Sequence, residues 1–437
     1  LSTIFIYLGF ISYFNGEGNS KFNFIYVFLA IWWLINSNGS FSFNVGKLRG
    51  FTSSVYEFNA TIFWCLYFVI LLNGIWYIFK TTSKKFKFQK FIENMSLGSL
   101  GLLFLGYIGA NFPLINFLNY YYFGQQKFGI SRNNPFSFNE WSEKISWRGF
   151  YTSAETIGEF YGLCLIFLVY SYTKKKSLNK IEIIGLISSL LGIYFSNNRT
   201  AMLLAFLFSA FLFIENKSYK KQAIYLLSFT GSILLLYLFG IDDLTYELDF
   251  ITSRIIVNAN IYSFEGISSS FTRWLNSNYA NKQLFSGLFG GFSFIGYFLN
   301  RSERWGIFFA RYNPTFQEFI IGSGPMSLGQ VYGETPIEQT ETFLLPHSSL
   351  LTSLVYFGFL GIIALISLFL FKYISNRRQI ISLGNMILIF IFINAFKNDV
   401  LNYFAPFLMY IFLIFGILNL KNKTLFRIST KEAQVEA

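Results

Sequence analysis

Long apolar stretches alternate with short polar, lysine-rich stretches along most of this chain. Each apolar stretch is about 14 to 24 residues long, close to what an α-helix needs to cross a bilayer. We therefore predict an all-α fold, a polytopic transmembrane helical bundle of about 11 to 12 spans. The predicted runs are 1–14, 22–36, 58–79, 95–117, 152–172, 181–195, 201–214, 223–239, 348–371, 380–396 and 401–418.

One long polar segment, 240–346, interrupts this pattern and carries more acidic than basic residues. We predict one transmembrane domain over 1–437, in which 240–346 forms a long periplasmic loop that caps the outer face. Within the loop, 284–299 is apolar and rich in glycine, which is typical of an interfacial or re-entrant piece. No signal-peptide cleavage pattern is visible and the chain begins at Leu1, so we expect a trimmed start or a few missing residues.

The basic residues fix the expected orientation. Lysine and arginine cluster at 80–90, 174–180, 217–221, 372–378 and beyond 421, and each cluster borders an apolar run. Such clusters mark cytoplasmic loops. The opposite, outer face then holds 113–150, the polar break at 196–200 and the long loop. We predict a multi-pass membrane protein in which these segments lie on the external side.

Composition supports a membrane protein and argues against a soluble domain and against a nucleic-acid-binding protein. Hydrophobic residues make up 53% of the chain and charged residues 13%, whereas soluble domains are about one quarter charged. The net charge of +12 is spread over short clusters between apolar runs, so it does not indicate nucleic-acid binding. Both cysteines, Cys65 and Cys164, lie in apolar runs, and no metal-ligand spacing occurs; we predict no metal site and no cofactor.

Chemistry-bearing residues fall on the predicted outer face. His347 is the only histidine in the chain, and it precedes an apolar run, where it could exchange protons near neutral pH or simply lie at the interface. Arg199 stands in the turn between two apolar runs, where it could bind a ligand or extend to the headgroups. Glu155 and Glu159, four residues apart, share a helix face and need cationic partners; Arg148 and Arg199 are the nearest candidates, in a binding site or in a structural ion-pair network.

Four segments together resemble the bacterial O-antigen polymerase and O-antigen ligase superfamily of integral-membrane glycosyltransferases. Ser196-Asn197-Asn198-Arg199-Thr200-Ala201 is similar to that family's serine–arginine turn. Arg304-Trp305, followed eighteen residues after the arginine by Gly322-Ser323-Gly324-Pro325, is similar to its arginine, aromatic and G-x-G-P series.

The other two segments lie on either side of these. His347 with Leu350, Leu351, Gly358 and Gly361 resembles the family's histidine helix, with Ser348 in place of the usual Asn. The segment 148–160 resembles a Glu-Pro-Ser segment of polysaccharide polymerases, with Thr156 in place of the Pro. The likeness covers 148–371.

The resemblance implies a fold similar to GT-C-type membrane glycosyltransferases and metal-independent transfer from a lipid-diphosphate sugar donor. It also implies a multi-pass protein of the bacterial inner membrane with its active site facing the periplasm. It implies that Arg199 and Arg304 bind the diphosphate, that His347 is the general base, and that Glu155 orients an arginine or binds a sugar hydroxyl. Further substrate-binding candidates are Arg148, Glu159, Arg273, Arg311, Gly322 and Gly324.

Three functions remain open at this point. The first is a polymerase that joins undecaprenyl-diphosphate-linked oligosaccharide repeats, with membrane lipids and flippase and chain-length regulator proteins as partners. The second is a ligase that transfers lipid-linked glycan to a lipid A-core or protein acceptor. The third is a flippase or transporter of lipid-linked oligosaccharide, which would favour internal repeats and helices broken at mid-membrane.

Overall fold

The structure is a computed structural model in which helices dominate. They lie where the apolar runs were predicted, except for a six-residue helix, Phe316–Ile321, inside the predicted loop 240–346. The residues that it describes are 2–15, 24, 27, 28, 31, 42–44, 54–56, 69–81, 87–111, 115–117, 121–123, 147, 154–196, 198–215, 219–239, 316–324, 347–375, 383–398, 400 and 408–414.

The described helices, in chain order, are α1 (Ser2–Phe14), α2 (Val69–Thr81), α3 (Phe88–Asn111), α4 (Ala154–Lys175), α5 (Lys180–Ser196), α6 (Arg199–Glu215), α7 (Lys220–Phe239), α8 (Phe316–Ile321), α9 (Ser349–Ser375) and α10 (Leu383–Lys397). A further helical stretch covers 408–414. Four three-residue strands form two antiparallel pairs, β1 (Ser42–Asn44) with β2 (Ser54–Tyr56) and β3 (Ile115–Phe117) with β4 (Tyr121–Phe123). The predicted all-α class is confirmed at this coarse level, and these two small pairs are its exceptions.

The predicted bounds of the fourth apolar run are wrong at both ends. Helix α3 begins at Phe88 rather than at 95, because Phe88 and Ile92, one turn apart, are both buried. The Phe88 ring packs edge-on against Phe167 of α4. At the other end, α3 stops at Asn111, and Pro113 two residues later cannot continue a helix, so residues 115–117 form β3 instead.

Among the described residues, α4 is the one helix that is both long and apolar enough to cross a membrane. Shorter apolar helices cover Val69–Thr81, Arg199–Ile214, Ser349–Ala364 and Leu383–Lys397. The polytopic arrangement of about 11 to 12 spans therefore stays a prediction. The predicted loop 240–346 lies outside the described residues except for 316–324, and its apolar piece 284–299 lies wholly outside them.

The chain divides into two compact units. The first comprises Leu1–Ile78, Ile241–Phe371 and Ala395–Asn402, and the second comprises Phe79–Gly240, Lys372–Asn394 and Tyr403–Ala437. In the second unit, α4 packs against α3, α5 and α6, while α6 also packs against α7. Helix α4 is thus the central element of that unit, and all but a few of its residues are buried.

Helix α5 buries mostly small and polar residues, together with Ile193 and Phe195 near its end, and exposes six of its large apolar residues. Its buried positions include Gly185 and Gly192, where an added Cβ would lie 2.3 Å from Ser96 Oγ and 2.2 Å from Tyr161 Cδ2, respectively. These contacts bring α5 into close backbone approach with α3 and α4. The exposed positions on the other face are Ile183, Ile184, Ile187, Leu190, Leu191 and Tyr194.

A buried carboxylate ties the end of α4 to the start of α5. Glu182 is fully buried and accepts hydrogen bonds from Ser171 Oγ (2.9 Å) and from the backbone N–H of Asn179 (2.9 Å). Its own backbone N–H donates to Asn179 Oδ1 (2.8 Å), which completes a reciprocal cap at the start of α5. Lys175 Nζ lies 3.3 Å from the same carboxylate, so α4 and α5 are tied together here.

In the first unit, two pairs of segments cross at glycine. Gly9 of α1 lies against the backbone of Ile70 in α2, since a Cβ there would come 2.1 Å from the Ile70 carbonyl oxygen. Gly358 interrupts α9 with φ 65° and ψ −170°, and the chain around Gly322 packs into that interruption. Both crossings need glycine because any side chain would collide with backbone atoms.

Candidate functional site

Arg199 begins helix α6 directly after the tight turn that ends α5 at Ser196. Arg199 is exposed, whereas the nearby Ser196 and Asn198 are buried. A cation at a helix N-terminus is disfavoured by the helix dipole, so helix formation does not explain an arginine here. An anion bound at the same place would interact favourably with both the arginine and the helix end.

Asn198 fixes the position of this turn, a role that the sequence analysis did not assign. Its Oδ1 accepts from the backbone N–H of Ala201 (3.2 Å) and caps α6. Its Nδ2 donates to the backbone oxygen of Glu155 (2.8 Å) in the first turn of α4. Gly158 leaves room for this contact, because a Cβ there would lie 2.5 Å from Asn198 Cβ. Asn198 therefore holds the start of α6, which bears Arg199, against the start of α4, which bears Glu155.

Glu159 lies one turn further along α4 and is fully buried. Its carboxylate accepts a short hydrogen bond from the hydroxyl of Tyr410, which is also buried. Arginine partners were expected for this carboxylate, whereas this hydrogen bond comes from a tyrosine 251 positions away. A phenol donor satisfies a buried carboxylate without bringing in a second charge.

His347 precedes α9 with a left-handed backbone (φ 49°), which is uncommon for any residue other than glycine. His347 is half-buried. The next residue, Ser348, is fully buried and caps the helix, since its Oγ accepts from the backbone N–H of Leu351 (3.3 Å). The histidine therefore lies just outside the cap, in a conformation that turns the chain into the helix.

Ser349 connects this helix start to the chain that follows α10. Its backbone N–H donates to the Asn398 carbonyl oxygen (2.8 Å), and its Oγ donates to the same oxygen. That Oγ also accepts from the backbone N–H of Val400 (2.7 Å). The last residue of α10, Lys397, is only 7% exposed and adjoins Asn398. Neither Ser349 nor Lys397 was a predicted site residue.

Gly322 and Gly324 both have left-handed backbones, and Gly322 also packs against α9. Both have positive φ, 83° and 88°. A Cβ on Gly322 would lie 2.5 Å from the Tyr356 carbonyl oxygen, and the N–H of Ser323 donates to the carbonyl of Val355 (2.9 Å). Gly322 thus lets this segment lie against α9 about 9 Å along the helix axis from its start.

The structure divides the predicted site residues between the two units. Arg199, Glu155 and Glu159 belong to one unit, and they surround the same end of α4. His347, Gly322 and Gly324 belong to the other. The remaining candidates lie outside the described residues: Arg148, Arg273, Arg304 and Arg311.

Of the four residues that were not predicted from the sequence, two lie in a recognisable local sequence pattern and two do not. Asn198 directly precedes an apolar helix, and Ser349 stands in a serine pair at a helix start; both are positions where capping residues are favoured. Tyr410 and Lys397 gave no such signal, because their importance depends on contacts or burial in the folded chain.

A comparison with family models, with curated proteins and with solved structures found no match to this chain. Within the described part of the chain, no group of three or more His, Cys, Asp or Glu side chains is placed to hold a metal ion.

Proposed function

We propose that this chain is a polytopic membrane glycosyltransferase, a polysaccharide polymerase that joins undecaprenyl-diphosphate-linked oligosaccharide repeats at the periplasmic face of the bacterial inner membrane. The proposal draws on the sequence resemblance, on the surface of the helices and on the two groups of candidate residues. Flippase and chain-length regulator proteins are its expected partners.

The surface of α5 supports a membrane location. In water, a helix buries its large apolar side chains and exposes its polar ones. Helix α5 does the reverse over most of its length. It exposes six large apolar residues and buries glycine, serine and Glu182, while Ile193 and Phe195 are buried near its end. Small residues at helix contacts and large apolar residues on the outside are typical of helices packed in lipid. Exposed Leu97, Leu100 and Phe104 extend the same pattern to α3, which buries Ser96 and Ser99.

The basic residues at one end of the second unit support the proposed orientation. Exposed lysines lie where α3, α5 and α7 begin and where α4 ends. They are Lys87, Lys90, Lys174, Lys176, Lys180, Lys220 and Lys221. Arg199 and Glu155 lie at the other end of α5 and α4. Lysine-rich ends face the cytoplasm, so the Arg199 end faces the periplasm in this proposal.

The exposed Arg199 at the start of α6 is the observation that supports diphosphate chemistry most directly. An arginine at a helix N-terminus offers a guanidinium fork and backbone N–H groups to the same anion. In a lipid-diphosphate donor, negative charge grows on the diphosphate as the sugar leaves, and a fixed cation stabilises that charge. Arg304 is proposed as the second diphosphate ligand.

His347 supplies the proton acceptor in the proposed reaction. The acceptor sugar hydroxyl attacks the anomeric carbon of the donor, and a new carbon–oxygen bond forms. The bond between that carbon and the diphosphate oxygen breaks, and the diphosphate leaves with the electron pair. His347 takes the hydroxyl proton as the attack proceeds. Glu155 is proposed to orient an arginine or to bind a sugar hydroxyl.

The test is complementation of the native strain after deletion of the gene for this chain. Wild type, His347→Ala and Arg199→Ala are expressed, and surface glycan is separated on a gel while the amount of each protein in the membrane is measured. We expect a ladder of chain lengths with wild type and single-repeat product with both variants. Long glycan that is not attached to its core acceptor would indicate a ligase instead. A normal ladder with His347→Ala would remove the histidine from the mechanism.

A further inference from the structure

The start of α9 is held by three hydrogen bonds from one residue, Ser349. Ser349 is 7% exposed, and its hydroxyl both donates to the Asn398 carbonyl and accepts from the Val400 N–H. Its backbone N–H donates to the same carbonyl. We call these three hydrogen bonds the Ser349 clamp. A serine that only caps a helix needs one such bond, and Ser348 already caps α9.

The clamp lies two residues from His347, whose left-handed backbone is sparsely populated for non-glycine residues. Such a conformation persists only where the surrounding structure determines it, and it recurs at functional sites. On one side of the histidine the chain is tied by the Ser348 cap and by the clamp. These bonds determine where the helix begins, and so they determine the direction in which the chain leaves residue 347.

We propose that Ser349 is a positioning residue for His347. By binding the chain at 398–400, it sets the place and the orientation of the histidine at the start of α9. The proposal rests on the proposed function where it assigns the histidine a part in catalysis, but the positioning itself can be measured without any activity. The clamp also holds the Val400 N–H, which would bond to the Phe396 carbonyl if α10 continued, and α10 accordingly ends at Lys397.

The single histidine makes the test direct. Selective ¹⁵N-histidine labelling of the full chain in lipid nanodiscs gives ring signals from His347 alone. Ser349→Ala should shift or broaden these signals. Ser349→Thr keeps the hydroxyl and should restore them, and Val400→Pro removes the opposite donor and should reproduce the change. Ser232→Ala is the matched control, since Ser232 is exposed on α7 and its hydroxyl bonds only within that helix, to Ser228 O (2.9 Å).

The second measurement is steady-state transfer by the same variants. Ser349→Ala should lower kcat by about 10- to 100-fold with KM within about twofold, since a small misplacement of a reacting group affects the chemical step. In a double variant with His347→Ala, the Ser349 substitution should cause no further loss, because it acts through the histidine.

Each outcome decides one part of the inference. Unchanged His347 signals in a folded Ser349→Ala protein would overturn the positioning role, whatever the activity. A further loss of activity in the double variant would also overturn it, because the serine would then act independently. If Ser349→Ala shifts the His347 signals but the wild-type chain transfers no glycan, the positioning role is supported and the proposed function is rejected.

Discussion

Gly192 of α5 should not tolerate even a methyl group, although glycine weakens helices in general. An added Cβ would lie 2.2, 2.3 and 2.4 Å from three ring carbons of Tyr161. That ring is fully buried, and its hydroxyl donates to the Ser99 backbone oxygen (3.0 Å), so it has no free space to move into. Gly101 of α3 is the matched control, because a Cβ there meets no atom within 4 Å.

The two substitutions should differ in sign. Replacing glycine by alanine inside a helix stabilises it by about 1 kcal/mol, which is the expected effect of Gly101→Ala. At Gly192 the same gain is opposed by overpacking, which costs about 1 to 3 kcal/mol. Displacing the Tyr161 ring also weakens its hydrogen bond to Ser99, at about 1 kcal/mol. We therefore expect Gly192→Ala to lower the free energy of unfolding by about 1 to 3 kcal/mol.

The assay is reversible unfolding of the purified chain in mixed micelles of increasing sodium dodecyl sulfate, followed by tryptophan fluorescence. Wild type, Gly192→Ala and Gly101→Ala are compared under one condition. Equal stability of the two variants would refute the close packing of α5 on α4, and with it the argument that α5 buries its small residues.

Three other substitutions test particular contacts by the same unfolding assay. Tyr410→Phe should cost about 1 to 3 kcal/mol because it leaves the buried Glu159 carboxylate without its phenol donor, whereas Tyr225→Phe, at an exposed position, should be neutral. Glu182→Ala should cost about 3 kcal/mol, since it leaves a lysine and several donors without their acceptor; a loss under 1 kcal/mol would argue against that network. Gly322→Ala should cost at least about 2 kcal/mol through its positive φ and its clash with α9, and a neutral result would contradict the described packing.

The local features of this chain could be predicted from its sequence. The helices follow apolar runs of sufficient length, and α4 and α5 begin and end within three residues of the predicted bounds. The turn at Arg199 was predicted because a short polar break between two apolar runs favours a turn between two helices. Each of these signals lies within one helix length of the chain.

The contacts that build the candidate site could not be predicted in this way. The bond between Tyr410 and Glu159, and the clamp between Ser349 and residues 398–400, join positions that are far apart in the chain. Nothing in the local pattern specifies such a pair, because burial and packing select it only once the helices have assembled. The same holds for Gly322, whose sequence context suggests ligand binding while its contacts in the structure are with α9.

The central claim is that this chain forms a glycosidic bond at the expense of a lipid-diphosphate bond, with His347 as the base. The most direct measurement incubates the purified chain in nanodiscs with undecaprenyl-diphosphate-linked oligosaccharide and follows both products by mass spectrometry. The account predicts that wild type yields the lipid-linked dimer together with an equal amount of free undecaprenyl diphosphate, and that folded His347→Ala yields at least about 100-fold less of each. No dimer from wild type, or undiminished dimer from His347→Ala, would contradict it.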